Sequence, residues 1–180
     1  MQMHKNNMGV WEIDDARIIF RNFEGVARGV YDRPGDRNFT LVIPNQEMGE
    51  QLINDKGKYG DGYNVKVKAP RDEGDTPSIR LKVKVHFSDY GPNIYLVSGR
   101  NKRRITENEV GLLDKISIQS VDLDIRAYDW MRPNGDHGRT AYLNSMQVYQ
   151  NVDRFAAEMA EQEHPEDDYP IDDSNLPFDV

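Results

Sequence analysis

The sequence contains no cysteine, and this absence removes several classes of site at once. Without cysteine there is no disulfide, no thiolate zinc site and no cysteine nucleophile. The four histidines are scattered along the chain, so a structural metal is not expected. No apolar run approaches the roughly 20 residues that span a bilayer, and the first residues lack the apolar core of a signal peptide. We therefore expect a cytoplasmic protein that needs no cofactor.

Three common enzyme signatures are also missing: a Gly-rich phosphate loop ending in Gly-Lys-Ser/Thr, G-x-S-x-G, and H-E-x-x-H. The best catalytic candidate is the pair Asp122 and Asp124, which on a strand would present two carboxylates on one face, as a divalent metal requires. A solvated strand face with Arg126 nearby explains the same pair. The sequence therefore favours a protein without catalytic activity, and a metal-dependent nuclease or junction-processing enzyme is the alternative.

Positive charge is missing from the C-terminal end of the chain. The segment from Ala156 to Val180 contains nine acids and no lysine or arginine, while residues 1–155 hold 22 acids against 23 bases. The net charge of −8 therefore hides a body whose net charge is +1. Such asymmetry is typical of a basic surface with an acidic tail that competes for it. We expect a loose segment over 1–15, one domain over 16–150, an amphipathic helix over 151–162 and an acidic tail over 163–180.

Alternating apolar and polar residues predict most of the strands. In the clearest case, 79–87, the odd-numbered residues are apolar, while Arg80, Lys82, Lys84 and His86 face the other way. Strands are predicted over 16–23, 37–44, 63–68, 79–87, 93–99, 117–130 and 139–150. Short helices are predicted over 46–55 and over 106–115, the second from a capping-box pair. This β-rich α+β pattern favours a small barrel, with an OB-like barrel as the first choice.

Basic and aromatic residues on these strands form a candidate surface for nucleic acid. Arg80, Lys82 and Lys84 recur about every 7 Å along one strand face, close to the phosphate spacing of an extended single strand. Single-strand binding also needs aromatic faces on which bases stack, and Tyr63 and Tyr95 are secondary candidates for that role. The alternatives are a solvated sheet face for the cations and core packing for the aromatic rings. The main candidates, including the basic turn 100–104, are Lys66, Lys68, Arg80, Lys82, Lys84, Arg100, Lys102, Arg103, Arg104, Arg126, Tyr128 and Trp130.

The chain ends in an acidic run that contains a short apolar stretch, Leu-Pro-Phe, near its end: IDDSNLPFDV. A tail that serves only solubility does not need an apolar end. Charge that guides the approach and an aromatic ring that fills a pocket are typical of a tethered docking peptide. The residues predicted to bind partner proteins are Asp172, Asp173, Leu176, Pro177 and Phe178. A protein-interaction adaptor that uses this tail alone is a third hypothesis.

Two parts of the sequence resemble known families. The tail is similar to the acidic C-terminal tips of bacterial and phage single-stranded-DNA-binding proteins, although Asp179 and Val180 follow Phe178 here. This departure affects the contact that a terminal Phe carboxylate makes with a partner. The body resembles a group of phage single-stranded-DNA-binding proteins in the stretches IIFRNFEG (18–25), GDRNFTLVIP (35–44), YNVKVKAPRDEGD (63–75), IYLVSGR (94–100) and VGLLDKISIQSVDLDIRAYDW (110–130).

These resemblances imply an OB-type fold and binding of single-stranded DNA without sequence preference. They also imply that the tail recruits replication or recombination proteins. We therefore expect a viral protein that coats and protects strands during replication, recombination or repair in the cytoplasm of a bacterial host. A homo-oligomer is compatible with the sequence.

Overall fold

The computed structural model describes residues 1–152, and this part of the chain folds mainly into β-strands. Its elements are β1 (Gln2–Lys5), β2 (Trp11–Asn22), β3 (Arg37–Ile43), α1 (Gln46–Asn54), β4 (Lys66–Lys68), β5 (Ser78–Val85), β6 (Asn93–Ser98), β7 (Asn101–Ile105), a 3-10 helix (Val110–Asp114), β8 (Ile118–Met131) and β9 (His137–Gln150). The predicted β-rich class is confirmed. Within the described residues, no helix is long and apolar enough to cross a membrane.

Five of the strands close into a ring through their hydrogen bonds. β3 pairs antiparallel with both β2 and β5, β2 also pairs with β8, and β8 pairs with β9 along its whole length. A short parallel contact between β5 and β9 completes the ring, with Val83 opposite Ala141 and Lys84 opposite Tyr142. β4 extends the same edge of β5, β1 pairs with β2, and the β6–β7 hairpin joins β9 through β6.

The predicted alternation places the core on one side of this ring. Phe39 and Leu41 of β3 are fully buried, and their partners across the ladder, Val83 and Leu81 of β5, are buried as well. Phe39 also stacks on Phe23, with 5.4 Å between the ring centroids. Because neighbouring residues of a strand point to opposite faces, this buried row forces the intervening lysines of β5 outward.

Helix α1 confirms the prediction for 46–55. Its N-cap is Asn45, whose side chain accepts a hydrogen bond from the backbone N–H of Met48 at 2.9 Å, and Leu52 is buried beneath it.

The predicted helix over 106–115 is wrong in type, because only a five-residue 3-10 helix forms there. The predicted capping contact exists, since the backbone N–H of Thr106 donates to the Glu109 carboxylate at 3.4 Å. The Asp114 carboxylate, however, accepts the backbone N–H groups of Phe23 and Glu24 at 2.8 and 2.9 Å. This anchor ties the last residue of the 3-10 helix to the residues that follow β2. The predicted C-terminal helix over 151–162 and the tail lie outside the described residues, apart from residues 151 and 152.

Two predicted loops are strands. Residues 1–15, expected to be a loose lead-in, contain β1 and the start of β2, and Trp11 is buried in the core. A bulge at Asp15 interrupts the alternation of β2 and hid this strand in the sequence. The basic stretch 100–104, expected to be a turn, lies mostly on β7, and the turn is confined to Gly99 and Arg100. In contrast, the predicted strand over 63–68 is shorter, since β4 begins only at Lys66.

Candidate nucleic-acid interface

A groove of about 650 Å³ runs along the outer face of the sheet, where β4 and β5 approach the β8–β9 hairpin. We call it the main groove. Five of the main candidates line it: Lys66, Arg80, Lys82, Lys84 and Trp130. The sequence placed these residues on three separate strands, and the closure of the ring between β5 and β9 brings them together.

Lys82 and Lys84 form a ridge between the main groove and a second, smaller groove. Both are exposed, and both also line the second groove of about 250 Å³, which we call the side groove. Their partners across the ladder with β3 are the uncharged residues Thr40 and Asn38. The two ammonium groups therefore face solvent between two concave surfaces, as phosphate binding requires.

Trp130 supplies an aromatic wall of the main groove. Its indole N–H donates to the Thr140 hydroxyl at 3.1 Å, and the Arg132 guanidinium lies 5.2 Å from the centre of its ring. Gly138 is directly opposite on β9, and a Cβ atom at that position would lie 2.6 Å from the indole. The glycine therefore allows the ring to lie flat across the neighbouring strand.

Arg126 and Tyr128 meet at a tyrosine that the sequence analysis did not select. The Arg126 guanidinium lies 5.3 Å from the ring centre of Tyr142, and Tyr128 meets the same ring edge-on at 6.0 Å. Tyr142 is opposite Lys84 across the ring closure and lines the side groove. Its position on the outward face of 139–150 was readable from the alternation, but its neighbours depend on the parallel pairing, which was not.

The structure contradicts one secondary stacking candidate. Tyr63 is only 2 % exposed, and the Arg139 guanidinium lies 5.1 Å from its ring centre. Burial raises the pKa of the Tyr63 phenol to about 12. Tyr63 is therefore part of the floor of the main groove and has no free face for a base. It precedes β4, which begins at Lys66, so the alternation of a strand does not determine the direction of its side chain. Lys68 is exposed on β4 opposite Ser78, at the end of this strand.

The cations of 100–104 are not brought into the main groove. Arg103 pairs with Glu109 at 3.3 Å, and Arg104 donates to the Asn93 side chain at 2.7 Å. The ammonium of Lys102 lies 4.9 Å from the ring centre of Tyr95, the other secondary stacking candidate. Together with Arg100 at the turn, these residues make the β6–β7 hairpin a separate basic surface.

Arg139 also lines the main groove, but its charge is used within the fold. Its guanidinium donates to the backbone carbonyl of Asp55 at 2.6 Å and lies 3.5 Å from the Asp129 carboxylate. The Asp55 carboxylate accepts hydrogen bonds from Lys5 at 2.6 Å and from the Trp11 indole at 2.8 Å. Burial alone raises the pKa of Asp55, but these hydrogen bonds and the charges of Arg139 and Lys5 outweigh it, and the pKa lies below its ordinary value. The cluster fixes the floor of the groove to β1 and β2.

Replacing Asp55 by Asn is expected to lower the free energy of unfolding at pH 7 by about 1–3 kcal/mol, because charged hydrogen bonds are lost at a buried position. A carboxyl whose pKa is lowered in the folded state stabilises the fold above its ordinary pKa of 3.8, and this contribution disappears as the pH falls through the folded value. The difference in melting temperature between wild type and D55N should therefore be largest near neutral pH and shrink below about pH 4. The exposed loop variant D72N is the control, and a difference that grows on acidification would contradict the assignment.

Asp122 and Asp124 lie at the other end of β8 from Trp130, where they bind other parts of the sheet. Asp122 accepts hydrogen bonds from the Tyr149 hydroxyl at 2.8 Å and from the backbone N–H of Asp15 at 2.9 Å. Asp124 accepts one from the Ser145 hydroxyl at 2.9 Å, and burial together with the nearby charge of Glu12 raises its pKa. Among the described residues, no three or more acidic or histidine side chains are grouped so as to hold a metal ion. These contacts give the nuclease hypothesis no support.

Proteins that bind single-stranded nucleic acid combine a positively charged groove with aromatic side chains on which bases stack, and the main groove has both features. Comparison with known families agrees with this class: the family described as "Putative phage ssDNA-binding domain" matches residues 1–177. The chain belongs to this family. The resemblance seen in the sequence is confirmed, and so is the prediction of single-stranded-DNA binding at the level of the family.

Solved structures give the same fold at low sequence identity. The truncated single-stranded-DNA-binding protein of bacteriophage Enc34 is 14 % identical, with a TM-score of 0.52 over 85 % of this chain and 91 % of that one. The same phage protein in complex with single-stranded DNA is 15 % identical, with a TM-score of 0.51 over 85 % of this chain and 93 % of that one. No curated protein matches the sequence.

Proposed function

We propose that the protein binds single-stranded DNA without sequence preference, with the strand in the main groove and across the ridge of Lys82 and Lys84. The observation that carries this proposal is that one concave surface combines free cations with a tryptophan wall. Cations that follow the backbone and rings that stack any base bind a strand without reading its sequence.

The proposed roles follow the positions of the side chains. Lys66, Lys68, Arg80, Lys82 and Lys84 contact phosphates, and Trp130 and Tyr128 stack on bases, with Arg126 beside them. The β6–β7 hairpin, through Arg100, Lys102, Arg103 and Arg104, holds a flanking stretch of the strand. We also propose that the five-strand ring is an OB-type barrel, since that fold presents its ligand on the outer face of such a ring.

The C-terminal residues are proposed to have two roles. The acidic run is complementary in charge to the ridge and the main groove, so it competes with DNA for them at the high effective concentration of a tethered segment. Asp172, Asp173, Leu176, Pro177 and Phe178 bind replication or recombination proteins once DNA has displaced them. The place of action is the cytoplasm of a bacterial host.

Fluorescence anisotropy of a labelled oligo-dT, with a matched duplex as control, tests this function. We expect the single strand to bind more tightly than the duplex. The logarithm of the binding constant should fall linearly with the logarithm of the salt concentration, with a slope of about −0.7 for each phosphate contact. A form cut after Glu163 should bind more tightly than the whole chain. A flat salt response, or a preference for duplex, would contradict the proposal.

A further inference from the structure

Phe20 of β2 has a backbone conformation that is unfavourable for a bulky residue. Its φ is +50°, in the left-handed region, where residues other than Gly, Asn and Asp are rare. The position is a bulge: Ile19 and Asn22 of β2 face Thr40 and Asn38 of β3, so one residue of β2 is extra. Bulges with this backbone conformation normally carry glycine.

A second bulge in the same strand shows how this conformation is usually accommodated. Asp15 has a φ of +52°, and aspartate is one of the few residues that tolerate it. Its backbone N–H is also paired, with the Asp122 carboxylate at 2.9 Å. The bulge at Asp15 is therefore explained by the type of residue and by a hydrogen bond to the neighbouring strand β8, whereas phenylalanine is not a residue type that favours positive φ.

Packing in the core does not offset the energetic cost of this backbone conformation at Phe20. The residue is 64 % exposed and lines the main groove, together with Thr40, Arg80 and Trp130. The Arg80 guanidinium lies 5.2 Å from its ring centre. An exposed apolar ring held in a strained conformation, at a concave surface, is a feature typical of ligand contacts.

We propose that Phe20 is a stacking platform for a nucleobase, held in place by the bulge and by Arg80. This inference rests on the proposed function and adds to it a base contact on β2, in the same groove as Trp130. Every base has a π-face, so the contact adds affinity without sequence preference. The bulge turns the ring out of the strand alternation and into the groove.

The test uses whole-chain Phe20→Gly and Phe20→Asn, with Phe20→Trp as the variant that keeps an aromatic face. Glycine and asparagine both tolerate positive φ, so the melting temperature should stay equal to that of wild type or rise. Affinity for oligo-dT should fall about tenfold in both, and F20W should bind like wild type. The matched control is Tyr90→Ala, which removes a ring that is 97 % exposed, lies in a turn and lines neither groove, and it should bind like wild type.

An oligonucleotide of the same length with abasic sites identifies the group that is contacted. Wild type should lose affinity when bases are removed, and F20G should lose less, because its platform is already missing. Wild-type affinity in F20G and F20N would overturn the platform while leaving the proposed function intact, whereas a wild type that fails to bind oligo-dT overturns the proposed function itself. A lower melting temperature in both variants would show a structural role for Phe20 and would also overturn the platform.

Discussion

A protein carrying both Lys82→Glu and Lys84→Glu is expected to bind oligo-dT at least about 100-fold more weakly than wild type at low salt, which corresponds to about 2.7 kcal/mol. Both lysines border the main groove and the side groove, so a strand that occupies either groove passes them. The reversal removes two attractive charges and adds two repulsive ones at the same points. Each lost phosphate contact weakens the salt dependence. The magnitude of the slope of log binding constant against log salt concentration should therefore decrease by about 1.4.

The control for this prediction reverses two cations elsewhere on the surface. Lys56 and Lys115 are exposed and lie outside both grooves, so K56E combined with K115E changes the net charge by the same amount. Titration by anisotropy at several salt concentrations compares the two double variants. Equal losses of affinity would mean that only the total charge matters, and would contradict a binding path over Lys82 and Lys84.

The lysine ridge was predictable from the sequence because it depends on one strand alone. Alternation fixes which residues of β5 are buried, and the remaining residues must then face outward. The same rule placed Arg126, Tyr128 and Trp130 on the outward face of β8, opposite Leu123 and Ile125. Local patterns of this kind survive folding because the hydrophobic core selects one face of each strand.

Other parts of the proposed site were not predictable, because they depend on pairing between distant strands or on a bulge. Tyr142 is brought beside Lys84 in the side groove by the two-residue parallel contact between β5 and β9, and neither strand's sequence pattern indicates this contact. Phe20 reads in the sequence as one member of an apolar run, and only the bulge turns it outward. For Tyr63 the error is the reverse: the sequence suggested an exposed ring on a strand, but the residue lies before β4 and is buried.

Charge alone did not separate cations that have partners within the fold from cations that face solvent. The densest basic run in the sequence, 100–104, forms a hairpin edge where Arg103 and Arg104 already have partners in the fold. Arg139 reaches the main groove but is held by Asp55 and Asp129. Lys82 and Lys84 have only uncharged neighbours on β3, and this difference in neighbours is a property of the sheet register, not of composition.

Phe39→Ala is expected to lower the free energy of unfolding by about 3–5 kcal/mol, the largest effect on stability predicted here for a single substitution. Phe39 lies on β3, between β2 and β5 in the sheet, and its side chain is fully buried in the core and stacks on Phe23. Its removal therefore leaves a cavity that a closed ring of strands cannot easily fill. For a chain of this length the melting temperature should fall by roughly 10 °C. Thermal unfolding followed by circular dichroism measures this, with Phe39→Leu as a control that fills most of the space and should cost much less.

Phe39 lies between Asn38 and Thr40, the residues opposite Lys84 and Lys82, so the two predictions probe opposite faces of one strand pair. If the inner face holds the fold and the outer face holds DNA, F39A at a temperature where it remains folded should bind oligo-dT within a few-fold of wild type. The free energy of unfolding of the variant with both K82E and K84E should be within about 1 kcal/mol of the wild-type value, because exposed charges contribute little to stability. Loss of binding in folded F39A, or a large loss of stability in the charge-reversal variant, would mean that the two faces are coupled. The groove would then be shaped by the core beneath it, and the cations would not be sufficient to explain binding.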